Sequence, residues 1–278
     1  MAKAHQNATP LVSICYAVAV FAGLVWAVFG TGILYGAHMG PTAHGLFERD
    51  ATVMAVPIAG QVPWLGLMVG LAVYAVWQCT PTARHTQLHG RLRPWVLLVV
   101  VLNALWLQLL QRDRVGPSLL CAIGLLATLI MIDIMISRTR LCSNMDRWIT
   151  RASFGLFTGW LGIIVLAELV TWIALLGPDP QQIMFKGAAA FILLILCLVL
   201  CVATFKQALG IYVNAGALWV VFWITLDRIT WQEASPLFAT VSTVATLLLL
   251  LCLVSALRTR IRALRSHPNT GRDQSSPN

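Results

Sequence analysis

The chain has 278 residues, of which 59% are hydrophobic and only 10% charged, and its formal net charge is +9. Charged residues make up about 25% of a soluble domain, so this composition excludes an ordinary soluble protein and points to a chain that crosses a membrane repeatedly. The longest polar connection, Gly36 to Gln61, is too short to hold a soluble domain with its own core. Function must then lie within the membrane helices or their short loops.

Taken in order, the apolar runs predict an all-α polytopic bundle of about eight spans: Leu11 to Tyr35, Val62 to Cys79, Trp95 to Leu110, Pro117 to Ser137, Phe154 to Leu176, Phe185 to Phe205, Ala208 to Leu226 and Pro236 to Leu257. Most are long enough to cross the ~30 Å hydrocarbon core as a helix, which satisfies its own backbone in lipid. The first run is too long for the apolar core of a signal peptide and reads as the first span. Pro63, Pro94, Pro117 and Pro236 stand where helices are expected to start, at positions that tolerate a missing N–H. Residues 1–278 are read as one integral membrane domain, with 258–278 as a basic tail lacking regular structure.

Lysine and arginine placement sets the expected orientation. With the N-terminus in the cytoplasm, the inner side holds Lys3, then Arg84, Arg91 and Arg93, then Arg138, Arg140, Arg147 and Arg151, then Lys206, and finally Arg258, Arg260, Arg262, Arg265 and Arg272. The outer side holds only Arg49, Arg112, Arg114, Lys186 and Arg228. Both termini are expected in the cytoplasm of a cell-membrane protein. The positive charge is accounted for by orientation and anionic headgroups, with no nucleic-acid partner.

The fifth run carries one acid, Glu168. An ionisable side chain there is costly against lipid, so it is expected to face the bundle and hydrogen-bond inside it, to Asn103 or to a ligand. Phe157, Leu161, Ile164 and Trp172 share its helical face. Asp133, near the inner end of the fourth run, is read as reaching the interface near Arg138. Gly66 and Gly70, and Gly155 and Gly159, are small residues four apart that permit close helix approach.

The seven cysteines imply no disulfide framework; Cys197 and Cys201 read as small buried apolar residues rather than metal ligands. All six histidines fall outside the predicted spans, which excludes a haem held by a histidine pair in the bundle. His85 and His89 lie among arginines and read as a solvated basic loop, while His44 with Glu48 and His38 is a loop grouping without a third ligand at firm spacing. Lysines occur only at span ends and in the tail, so no mid-membrane Schiff base can form. No cofactor or metal is expected.

Tryptophan is in excess, with 11 residues. Trp77, Trp95, Trp148, Trp172 and Trp231 suit an interfacial belt, whereas Trp26, Trp64, Trp106, Trp160, Trp219 and Trp223 need another account. In the seventh run Tyr212, Gly216, Trp219 and Trp223 form one stripe with a gap at the glycine, where a flat ring can lie. Core packing is the competing reading of such a stripe. Asn103 and Trp106 share a face of the third run.

The residues from Pro57 to Gly60 leading into Pro63-Trp64, then Asn103-x-x-Trp106, then Gly159-Trp160 with Ala167 and Glu168, and finally Trp219, resemble the tryptophan-rich sensory protein family, the TspO or translocator protein group. The likeness is to its longer bacterial members with extra helices and runs from Pro57 to Leu257. Members are expected to carry Asn where this chain has Glu168, and a fuller aromatic-proline loop before the second span. The resemblance implies a membrane protein, not an enzyme, that binds a porphyrin or other planar hydrophobic ligand for sensing or transport, with a homodimer open as its assembly. The expected ligand-binding residues are Trp64, Asn103, Trp106, Trp160, Glu168, Tyr212, Trp219 and Trp223. The competing function is a proton-coupled transporter of a small solute using Glu168, which would call for interrupted helices near the midplane.

Overall fold

The computed structural model describes residues 10–30, 51–84, 86–139, 144–206, 209–231 and 235–265. Their helices are α1 (Pro10–Gly30), α2 (Ile58–Gln61), α3 (Pro63–Trp77), α4 (Pro81–Arg84), α5 (Gln87–Leu110), α6 (Val115–Ser137), α7 (Asn144–Leu175), α8 (Ile183–Lys206), α9 (Gly210–Thr230) and α10 (Pro236–Arg265). Among the described residues, 8 candidate spans are long and apolar enough to cross a membrane, with α2 and α3 counted together. The chain is therefore a polytopic helical bundle, as its composition requires.

Helix ends follow local chemistry. Pro63 opens α3, where its missing N–H costs no helical bond. Gly177, at φ 120, follows the end of α7 in a conformation that side chains disfavour. Asp113, at φ 57, makes the tight connection from α5 to α6, a left-handed position that aspartate tolerates better than most residues.

The largest departure from the sequence reading is α5. It starts at Gln87 and runs through Pro94, which sits inside the helix instead of opening it. Losing one backbone bond to proline costs about 3 kcal/mol in an isolated helix, and packing of Leu92, Val96, Val99 and Val100 into the core offsets it here. Arg91, Arg93 and His89 therefore lie on a span. Likewise α9 continues to Thr230 and brings Arg228 into the bundle, and α10 stays helical to Arg265, so Arg258, Arg260 and Arg262 extend a helix where an irregular tail was expected. His38, His44, Glu48, His85 and residues 266–278 lie outside the described residues.

Helix α7 is the hub, packed on α3, α6 and α9, while α1 lies on α3 and α5, and α10 covers α8 and α9. Its contact with α9 is set by glycines. A Cβ on Gly155 would come within 2.7 Å of Tyr212 Cβ; one on Gly159 would collide with Val213 O, and one on Gly216 with Leu156 O. Because 155 meets 212 and 159 meets 213 to 217, the two helices run parallel at backbone contact, the small-residue packing of membrane helices. Gly70 faces Ser153 of α7, but Gly66 has open space around it, so only one member of that pair makes a close approach.

Candidate functional site

Helix α3 has 15 residues, about 22 Å of helix, and falls short of a ~30 Å hydrocarbon layer by itself. The missing length is supplied by α2 and by non-helical backbone at 51–57, where Thr52, Val53, Met54, Ala55 and Val56 are all buried. Irregular backbone survives within a membrane bundle only when its polar groups are satisfied by protein. Here side chains do so: Arg228 Nη2 donates to Thr52 O at 3.2 Å and to Ala55 O at 3.4 Å, and Gln61 Nε2 donates to Val56 O at 2.8 Å. Trp219 Nε1 donates to Ala59 O and Trp160 Nε1 to Gly60 O, each at 3.0 Å.

These contacts run along α9 from Arg228 to Trp219, nine residues or about 14 Å of helix, so residues 52–60 line the flank of α9. Gly60 fits because a Cβ there would stand 2.8 Å from Val56 Cγ1 and 3.6 Å from Trp223 Cβ. Arg228 is 2% exposed, lies 3.7 Å from Asp227 Oδ2, and stacks its guanidinium 5.2 Å from the Trp231 ring centroid. A buried cation is thus spread over carbonyls, a carboxylate and a ring.

Beneath this segment three helices bring an aromatic group together. The Trp106 and Trp160 rings meet edge to face at 6.3 Å, and Phe157 lies 6.1 Å from Trp160. Trp64, Trp106 and Trp160 are all buried. Glu168 points inward, as its sequence context requires, and is 1% exposed. Its partners differ from the expectation: Trp106 Nε1 donates to Oε2 at 2.9 Å and Ser118 Oγ of α6 donates to Oε1. Asn103 is engaged elsewhere, its Oδ1 accepting from Trp64 Nε1 at 3.2 Å and its Nδ2 lying 3.6 Å from Met68 Sδ. Ser118, one turn into an otherwise apolar helix start, escaped the sequence reading; its spacing from the span end was the available signal.

The stripe on α9 is divided. Trp219 and Trp223 lie 6.1 Å apart beside α2, and Phe222 adds a ring 5.4 Å from Trp223. Trp223 Nε1 is buried without a hydrogen-bond partner. Tyr212 belongs to the other end of the helix, edge to face with Trp148 at 6.2 Å. The gap at Gly216 is filled by the backbone of α7 at Leu156 and Trp160, leaving no room there for a flat ring.

Asp133 is buried, with its side chain turned to Thr158 of α7 instead of Arg138. His89 is also fully buried, its Nδ1 3.0 Å from the Tyr74 hydroxyl, and does not belong to a solvated loop.

The family model described as TSPO-like protein matches residues 13–257, which takes in every span from α1 to α10. No curated protein and no solved structure matches the chain. A match over nearly the whole bundle, joined to the indole cluster on α3, α5 and α7, places the chain in the TSPO-like protein family.

Proposed function

We propose that the chain binds a planar hydrophobic ligand of tetrapyrrole type at the end of the bundle where residues 51–61 enter, and uses it for sensing or transport instead of catalysis. The observation that carries this reading is the cluster of buried indoles, Trp106 bonded to Glu168 and edge to face with Trp160, Trp64 bonded to Asn103 on the same helix as Trp106, with Trp219 and Trp223 on the flank of α2. Stacked rings add about 0.5 to 1.5 kcal/mol per pair beyond area burial, enough in number to hold a flat apolar molecule without covalent attachment. Of the expected site tryptophans, Trp64, Trp106, Trp160 and Trp219 already spend their indole N–H within the protein, so the free donor for a ligand acceptor is Trp223. Tyr212 takes no part in this grouping. The lysine and arginine distribution supports a cell-membrane protein with both termini in the cytoplasm.

The test is a titration of the purified protein with protoporphyrin and other planar ligands, followed by the porphyrin absorbance band and by quenching of tryptophan fluorescence. A saturable shift is expected, weakened about tenfold by Trp223→Leu, which loses one donor and one stacking surface but keeps apolar volume. Absence of saturation with every ligand tried refutes the proposal. A binding that requires a proton gradient and fails in Glu168→Gln would favour proton-coupled transport.

A further inference from the structure

At the opposite end of the bundle, where α1 begins, α3 ends and α5 begins, lies a second polar cluster remote from the tryptophan site. The Tyr74 hydroxyl bridges His89 Nδ1 at 3.0 Å and Gln78 Nε2 at 2.6 Å, and all three residues are fully buried. Gln78 Oε1 accepts from Arg93 Nε at 3.4 Å, and Arg93 Nη2 donates to Ser13 Oγ at 3.1 Å. Every acceptor that Arg93 finds is neutral, and among the described residues no carboxylate pairs with it. One turn along α1 from Ser13, on the same face, the Tyr16 hydroxyl is buried, feels the charge of Arg93 and has no hydrogen-bond partner.

Both observations describe the same deficit. A partly buried guanidinium with only neutral acceptors leaves positive charge uncompensated, and a buried hydroxyl without a partner leaves a donor unused. One group satisfies both: an oxyanion that takes the outward N–H groups of Arg93 and the O–H of Tyr16, with the Ser13 hydroxyl free to turn toward it. The cluster sits at helix ends, the level at which lipid phosphates lie, and the exposed Arg91 on the same helix adds attraction for anions.

We propose that Arg93, Tyr16 and Ser13 form a phosphate-class oxyanion site between α1 and α5, buttressed by Gln78, Tyr74 and His89. The phosphate comes either from an anionic lipid headgroup or from free inorganic phosphate, and the two sources share this recognition.

The full chain in detergent is titrated in separate arms with short-chain phosphatidylglycerol, short-chain phosphatidylcholine and inorganic phosphate, and the unfolding midpoint is recorded. Saturable stabilisation by phosphatidylglycerol at concentrations where phosphatidylcholine and phosphate do little assigns the site to an anionic headgroup. Saturation by phosphate alone assigns it to the free anion. Tyr16→Phe is the decisive variant, because its hydroxyl makes no hydrogen bond within the protein: the unliganded midpoint should stay unchanged while affinity falls about tenfold. Arg93→Gln should abolish saturation. No saturable response in any arm, or equal responses in wild type and Tyr16→Phe, overturns the site.

Discussion

Glu168 shows how one carboxyl can organise a buried junction among three helices. It accepts the Trp106 indole and the Ser118 hydroxyl, while Ser118 also reaches Val115 O at 2.9 Å. Glutamine can reproduce the arrangement: its carbonyl accepts from Trp106, and its amide donates to Ser118 Oγ, whose hydrogen turns to Val115 O. Glu168→Gln should therefore stay within about 1 kcal/mol of wild type, whereas Glu168→Leu strands a buried indole donor and should cost about 1 to 3 kcal/mol. Denaturant unfolding in detergent of the two variants measures the difference. The inward aim of Glu168 was legible in the sequence because an acid within an apolar span has few tolerable surroundings. Its partners were not, since rotation of α6 about α7 decides which polar group meets it, and apolar spans carry little periodicity from which to read that rotation.

Among the elements, the α7–α9 contact and the 51–61 segment make opposite demands on side chains. The former requires none: Gly159→Ala drives a Cβ into the Val213 carbonyl of α9 and should lose about 1 to 3 kcal/mol through overpacking. Gly66→Ala, in open space on a helix, is the control and should be neutral or stabilising by up to about 1 kcal/mol. The segment, by contrast, depends on long donors. Replacing Arg228 with Met keeps much of the stem but removes the bonds to Thr52 O and Ala55 O. Backbone amides of 52–60 should then exchange with deuterium markedly faster while those of α5 and α6 do not change, which hydrogen-exchange mass spectrometry resolves by peptide. Glycines four apart announced the first contact in the sequence. Nothing announced the second, because Arg228 stands past the apolar run and a hydropathy reading stops where charge begins, although the helical backbone continues. The same cause hid His89 and Arg93 at the start of α5.

For the whole molecule, helix count and apolar length were readable from the order and length of the apolar runs, and the topology that follows can be checked without a ligand. Reporter fusions after Lys206 and after Trp231 flank α9 and should report opposite sides of the membrane, with the former cytoplasmic. Matching reports would remove α9 as a span.

The support of residues 52–60 also has a temporal meaning. Gln61 and the Ala55 amide serve Val56 O and Thr52 O locally, but the other donors stand far along the chain, Trp160 at 100 residues' separation, Trp219 at 160 and Arg228 at 176. A ribosome making about 5 to 20 residues per second delivers Arg228 many seconds after Thr52 has emerged. Until then the carbonyls of Ala55, Ala59 and Gly60 lack these donors, so the segment must wait in the headgroup region or in the translocation channel. Its docking reports that the C-terminal half has been inserted, and a nascent chain cut short before α9 would carry an unsheltered backbone that quality-control proteases can grip.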